Sequence, residues 1–263
     1  MLVMSANIEG FEQFSIEENA HKKSDETFWK RYFEEYTRLV KKRTMTAISA
    51  GVDTIVLGYG GSIDLAQNPA YWTHLVYEIR STGFEGELGL FSGLSAKGNW
   101  SGIKEAIMLG TKKDVVAIVN NFDFVMFQLQ DASTDNLKRA LNSHRFLKIP
   151  FQILVITPSV TTGVSLDEFI EPIMGQNNAT NSLAPDRTLN FEVQTSAYQA
   201  VIDIINDDKF YYVGGLNSWG YHFRDNNHYS LTPGDADYEK SANIRGKPAE
   251  KLLSLWFKAW QQH

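Results

Sequence analysis

Apolar residues in this chain fall into short continuous runs that alternate with longer stretches of helical periodicity. Each short run ends at glycine, proline or polar residues, a pattern that predicts strands buried on both faces. Apolar and aromatic residues at helical spacing, after a capping residue or a proline, predict helices between the strands. The predicted strands are Met1–Ile8, Thr54–Leu57, Leu88–Phe91, Phe122–Leu129, Phe151–Ile156 and Phe210–Leu216, and the predicted helices are 26–49, 69–82, 102–121, 134–147, 187–206 and a last one that begins at Pro248.

Strand and helix alternate about six times, with most strands roughly 30 to 35 residues apart, which predicts a parallel sheet with outer helices. The 263 residues suit one α/β barrel of about 250 residues. We therefore predict a single TIM-type (β/α) barrel domain over residues 1–263, incomplete at about six of eight units, with a long loop at about 158–186. The open edge predicts a homodimer or a missing N-terminal segment, because unpaired strand edges are unfavourable.

Composition excludes several functional classes. A net charge of −6 without a long basic run argues against a nucleic-acid surface, and the lack of cysteine excludes disulfides and thiolate metal sites. No apolar stretch approaches 18 residues, so no membrane span is predicted, and the first residues do not read as a signal peptide. His222, His228 and Asp225 lie close in sequence, but their spacing is not specific for a metal. We predict no metal and no other cofactor, and the compartment stays open.

The segment from Tyr211 to Trp260 carries most of the candidate chemistry. Its apolar strand runs directly into Asn217, Trp219 and Tyr221, and a loop rich in Asp and Asn follows. A buried strand that ends in aromatic and hydrogen-bonding side chains is typical of the sugar-binding mouth of a parallel α/β barrel. The alternative interpretation is that Trp219 and Tyr221 are core aromatics.

Three segments together resemble one family of enzymes. They are Val52–Arg80, Phe122–Asp131 and Tyr211–Trp260, the last preceded by a helix that contains Gln194, Ala197 and Tyr198. The first combines an apolar strand, a short loop and a helix that begins Pro-Ala-Tyr-Trp and ends in Arg, and the last contains a Gly-Lys-Pro-Ala-Glu helix start. This pattern resembles the clan A glycoside hydrolases, particularly the β-mannanase-like family 113.

The resemblance implies two catalytic glutamates, at the tips of the fourth and seventh barrel strands, about 5 Å apart in retaining enzymes. In this chain Gly60 and Pro158 stand at the corresponding positions, and no acidic residue lies within three positions of either. The usual two-glutamate mechanism is therefore predicted to be absent. Asp131, Glu9 and Asp225 are the candidate replacement carboxylates. The alternative is that they cap helices or pair with nearby arginines.

Two functions remain open from the sequence. In the first, the barrel binds an oligo- or polysaccharide with degenerate or relocated catalysis. Aromatic faces would contact the sugar rings and polar side chains would bond the hydroxyls. The predicted binding residues are Tyr59, Trp100, Gln128, Asn217, Trp219 and Tyr221. In the second, the chain is a non-catalytic scaffold or interaction module that pairs with a partner through its open barrel edge.

Overall fold

The computed structural model describes residues 2–5, 26–59, 69–93, 112–129, 134–155, 157, 159, 188–218 and 244–260. Within these residues, strands and α-helices alternate. The elements are β1 (Leu2–Ser5), α1 (Glu26–Ser49), β2 (Thr54–Tyr59), α2 (Pro69–Arg80), β3 (Glu87–Gly93), α3 (Lys112–Val119), β4 (Phe124–Leu129), α4 (Thr134–His144), β5 (Phe151–Val155), α5 (Phe191–Ile205), β6 (Val213–Ser218) and α6 (Pro248–Trp260), with 3₁₀ turns at Arg145–Leu147 and Asp208–Phe210.

The described strands are hydrogen-bonded in the order of the chain, from β1 to β6. β1 pairs with β2, and β2 with β3, in parallel. Each strand is joined to the next through a helix, which is the connection that neighbouring parallel strands require. The helices of the described residues do not combine the length and the apolarity needed to cross a membrane.

Two predicted boundaries differ from the structure because of polar caps. The last strand begins at Val213 and not at Phe210, since the Asp207 side chain accepts a hydrogen bond from the Lys209 N–H at 3.0 Å and initiates a 3₁₀ turn. The strand also ends at Ser218 and not at Leu216, so Asn217 lies within β6 and not after it. α5 begins at Phe191 and not at Arg187, because Asn190 caps it.

The internal contacts of the chain divide it into two compact units. Unit 1 comprises Met1–Leu94, Asn99–Phe127 and Arg145–Phe151, and unit 2 comprises Ser95–Gly98, Gln128–His144 and Gln152–His263. The single domain expected from the sequence stays a prediction.

The core of unit 1 is built around β2. Ile55, Val56 and Leu57 are consecutive and fully buried, so both faces of this strand are covered, as expected for a parallel strand between layers. Aromatic side chains link α1 and α2: the Phe33 ring of α1 lies edge-on to Trp72 of α2, with ring centroids 5.4 Å apart.

Arg80, the last residue of α2, ties that helix to the start of two strands. Its guanidinium pairs with the Asp123 carboxylate at 3.0 Å and donates to the Phe84 carbonyl at 3.2 Å. The same Asp123 oxygen accepts the Leu88 N–H of β3 at 2.8 Å. The polar connection therefore fixes α2, β3 and the residue before β4 together.

The core of unit 2 lies between β5, α5 and α6. Ile153, Leu154 and Val155 are buried in succession, again a strand covered on both faces. The helices contribute small and large side chains to this core, among them Ala197, Tyr198, Val201, Ile204, Ala249 and Leu253.

Gly89 of β3 gives a test of this packing. A Cβ at this position would lie 2.3 Å from the Phe124 ring, whereas a Cβ at Gly214 of β6 would meet nothing within 4 Å. We expect Gly89→Ala to lower the free energy of unfolding by about 1–3 kcal/mol through overpacking. Gly214→Ala, the matched control, should change it by less than about 0.5 kcal/mol. Urea denaturation followed by circular dichroism measures both.

The Phe124 ring is the proposed cause of the overpacking in Gly89→Ala, so a smaller side chain at position 124 should relieve it. In the Gly89→Ala background, Phe124→Leu should cost less than it does alone, with a coupling energy of about 1 kcal/mol. Additive effects of the two substitutions would contradict the steric explanation.

Candidate functional site

The predicted binding residue Asn217 forms a polar pair in unit 2. Its Nδ2 group donates a hydrogen bond to Gln152 Oε1 of β5 at 2.9 Å, and both side chains are half-buried. This bond uses one N–H of Asn217 and one lone pair of Gln152 Oε1. The two amides also contain the Asn217 Oδ1 acceptor and the two N–H donors of Gln152. Such groups can bind the hydroxyls of a ligand.

Gly215 lies next to Gln152. A Cβ at this position would lie 3.4 Å from Gln152 Cγ, which is an ordinary van der Waals contact, so a side chain longer than that of alanine would reach the Gln152 amide. Glycine in a strand often marks a place where another group approaches the backbone closely. The arrangement in β6 is therefore compatible with a ligand that contacts Gln152 and Asn217.

Buried polar groups also surround the end of β5. The Gln194 amide of α5 donates to the Thr157 carbonyl at 2.9 Å, and the Asn190 backbone N–H donates to the Ser159 carbonyl at 2.8 Å. Gln194, Thr157 and Ser159 are each at most 2% exposed. These bonds attach the first turn of α5 to the segment that follows β5.

Lys247 extends this network to α6. It immediately precedes Pro248, is 3% exposed, and its Nζ donates to Ser159 Oγ at 3.3 Å. Because a buried ammonium needs hydrogen-bonding partners, the contact has a structural role in joining α6 to the end of β5. We call Thr157, Ser159, Gln194 and Lys247 the β5-end cluster.

Tyr198 links α5 to the last residue of β6. Its hydroxyl lies 2.7 Å from Ser218 Oγ, and burial raises the pKa of Tyr198 despite this hydrogen bond, which lowers it. The phenol is therefore neutral at physiological pH and can both donate and accept. Ser218 is fixed from the helix side, while its neighbour Asn217 bonds to Gln152.

The structure locates three of the nine predicted site residues, each at or near the carboxyl end of its strand. Tyr59 is the last residue of β2, Gln128 the last but one of β4, and Asn217 the last but one of β6. The other six lie outside the described residues. They are Glu9, Trp100, Asp131, Trp219, Tyr221 and Asp225, and Gly60 and Pro158 also lie outside.

Gln152 and the β5-end cluster were not predicted from the sequence. The signal for Gln152 was a single polar residue inside the buried run Phe151–Val155. The sequence did not single out Lys247, because a lysine that precedes a helix start such as Pro248 is ordinarily exposed. Among the described residues, no group of three acidic or histidine side chains is arranged to hold a metal ion. The local set of His222, Asp225 and His228 lies outside the described residues.

Comparison with solved structures identifies the class of fold. A GH113 β-1,4-mannanase superposes with a TM-score of 0.59 at 17% sequence identity, covering 88% of this chain and 63% of that chain. The GH113 β-mannanase of Alicyclobacillus acidocaldarius, in complex with ManMIm, gives a TM-score of 0.57 at 15% identity with the same coverage. No family model and no curated protein match the sequence.

The chain therefore has an α/β TIM-type fold, and the resemblance to GH113 β-mannanases predicted from its sequence is confirmed for the fold. It spans 63% of the length of the two solved mannanases. At these identities the likeness extends to the fold and not to an activity.

The contacts of the β5-end cluster predict that two lysines near the start of α6 contribute differently to the free energy of unfolding. We expect Lys247→Ala to lower the free energy of unfolding by about 1–3 kcal/mol, because it leaves Ser159 without this donor and removes a buried side chain. The exposed Lys251, on the first turn of the same helix, is the control, and Lys251→Ala should cost less than about 0.5 kcal/mol. Equal midpoints for the two variants in urea denaturation would contradict the role assigned to Lys247.

Proposed function

We propose that this chain is a glycoside-hydrolase-like barrel that binds carbohydrate and whose catalytic carboxylates are degenerate or relocated. The observation that carries the proposal is the fold shared with two GH113 β-mannanases over 88% of the chain. Because those proteins are mannanases, β-1,4-linked mannooligosaccharides are the first ligands to test. A shared fold alone does not specify function, so the proposal also depends on the amide pair in β5 and β6.

The Gln152–Asn217 pair supports carbohydrate binding on chemical grounds. Amide side chains supply both donors and acceptors, which matches the hydroxyl groups of a sugar. A site that pairs with hydroxyl groups discriminates strongly against analogues that lack them. The aromatic residues Trp219 and Tyr221, which follow β6 in the sequence, are proposed to supply the apolar faces that sugar rings require.

The catalytic part of the proposal rests on residue types. Gly60 and Pro158 stand where the resemblance implies the acid/base and the nucleophile. Neither side chain can transfer a proton or attack an anomeric carbon. A retaining double displacement by the usual pair is therefore not proposed for this chain, and Asp131, Glu9 and Asp225 remain the candidates for relocated catalysis.

The first prediction of this function concerns affinity. Gln152→Ala and Asn217→Ala should each weaken mannohexaose binding about tenfold, which corresponds to about 1.4 kcal/mol, since each removes a hydrogen-bonding amide. Isothermal titration calorimetry measures the effect. The control is Gln199→Ala, which removes an exposed amide bonded to Asp203 at 2.7 Å on α5 and should leave the affinity unchanged. Equal losses in all three variants would argue against a site at the amide pair.

The second prediction concerns chemistry. An activated aryl β-mannoside should leave no covalent glycosyl-enzyme detectable by intact-protein mass spectrometry, because the residues at the two implied catalytic positions are not acidic. If slow hydrolysis is observed, Asp131→Asn should reduce it more than Asp225→Asn. A trapped glycosyl group on any side chain would refute the proposed loss of the double-displacement mechanism.

An exposed apolar face on α6 favours a second candidate function. Phe257 and Trp260, one turn apart on α6, are 46% and 55% exposed, and the Trp256 ring lies 5.5 Å from that of Trp260. Such a face suits an interaction module that pairs with a partner. The two candidates differ in measurable behaviour: self-association abolished by Trp260→Lys, together with no oligosaccharide binding, would favour the interaction module.

A further inference from the structure

The pairing of β1 with β2 changes register next to the carboxyl end of β2. Met4 is opposite Leu57, but the next residue, Ser5, is opposite Tyr59. Gly58 is therefore one extra residue on β2, which is the arrangement of a β-bulge. On the other side, β2 pairs with β3 without interruption from Thr54 to Leu57.

The backbone of Gly58 has the conformation that such a bulge requires. Its φ angle is +91°, in the region that side-chain-bearing residues rarely adopt. A Cβ at this position would also lie 3.3 Å from the Phe91 carbonyl oxygen of β3. Both constraints favour glycine at position 58.

Tyr36 of α1 supplies the hydrogen bond for the extra residue. The Gly58 N–H donates to the Tyr36 hydroxyl oxygen at 3.1 Å. Tyr36 is fully buried, so water cannot replace this acceptor. Burial raises the pKa of Tyr36, and this effect outweighs that of the Gly58 hydrogen bond, which lowers the pKa. The hydroxyl is therefore neutral at physiological pH, and its oxygen is available to accept the Gly58 N–H.

We propose that Tyr36 is a positioning residue that holds the Gly58 bulge and thereby fixes the register of β2 at Tyr59. Without the extra residue, Gly58 would be opposite Ser5, and Tyr59 would move by one ladder position. One position is about 3.3 Å along a strand, and a slip by one residue exchanges the two faces of the strand. Tyr59 is one of the proposed sugar-binding residues, so the consequence for a ligand rests on the proposed function, whereas the register itself does not.

The positioning role can be tested without any ligand. In protein labelled with 3-fluorotyrosine, the fluorine resonance of Tyr59 is identified by its loss in Tyr59→Phe. Tyr36→Phe removes the acceptor of the Gly58 N–H and keeps the ring. The control, Tyr32→Phe, removes another buried hydroxyl one turn earlier on α1. We expect the Tyr59 resonance to move in Tyr36→Phe and to stay at its wild-type position in Tyr32→Phe.

Hydrogen exchange provides a second readout at the bulge. The Gly58 amide of the wild-type protein should exchange slowly, and Tyr36→Phe should accelerate its exchange at least about tenfold beyond any change in Tyr32→Phe. Rapid exchange of Gly58 in the wild-type protein would overturn the proposal, even if Tyr36→Phe did not fold. So would a Tyr59 resonance and a Gly58 exchange rate that are the same in Tyr36→Phe and Tyr32→Phe.

Ligand titration then separates the two claims. If mannohexaose binds the wild-type protein, Tyr36→Phe should weaken binding about tenfold and Tyr32→Phe should not. If the wild-type protein binds no oligosaccharide, the carbohydrate function fails, while the fluorine and exchange measurements still decide whether Tyr36 positions Tyr59. Full affinity in Tyr36→Phe together with an unmoved Tyr59 resonance would refute the positioning role.

Discussion

Burial of both faces of the central strands is the constraint on which the rest of this structure depends. Ile55, Val56 and Leu57 of β2 have no exposed surface, so water cannot satisfy backbone groups that leave the regular ladder. Each interruption therefore needs a partner from a helix or a neighbouring loop. In unit 1, the Gly58 N–H bonds to Tyr36, and the Leu88 N–H bonds to the Asp123 carboxylate.

Unit 2 meets the same requirement with a different set of side chains. The Thr157 carbonyl accepts from Gln194, and Ser159 accepts from the Asn190 backbone and from Lys247. These polar contacts are made at the end of β5 because the strand interior is satisfied by the ladder. They also attach the starts of α5 and α6 to the end of β5. Rigid support of this kind is what a binding site on connecting loops requires.

The sequence predicted the fold better than the site, for physical reasons. Continuous apolar runs reported the buried strands directly, since a strand covered on both faces tolerates few polar residues. The error at Phe210 arose because Asp207 forms a local hydrogen bond that outweighs the strand preference of the aromatic residues after it. Asn217 was predicted from its place at a strand end, but its partner Gln152 was not. Their contact joins positions 65 residues apart, and no local pattern records it.

The residues that stabilise the fold are separate from those that would carry the chemistry, which bears on the proposed loss of the usual catalytic pair. The residues that stabilise the described strands are apolar or are bonded to strand ends, and the implied catalytic positions, Gly60 and Pro158, lie outside the described residues. Loss of a catalytic carboxylate removes a desolvated charge, which need not destabilise a barrel. Active-site residues are often retained for function at a cost in stability, so replacing them can stabilise a protein. The fold of a β-mannanase and the chemistry of one are thus separable properties, and the likeness of this chain to the two solved mannanases extends to the fold.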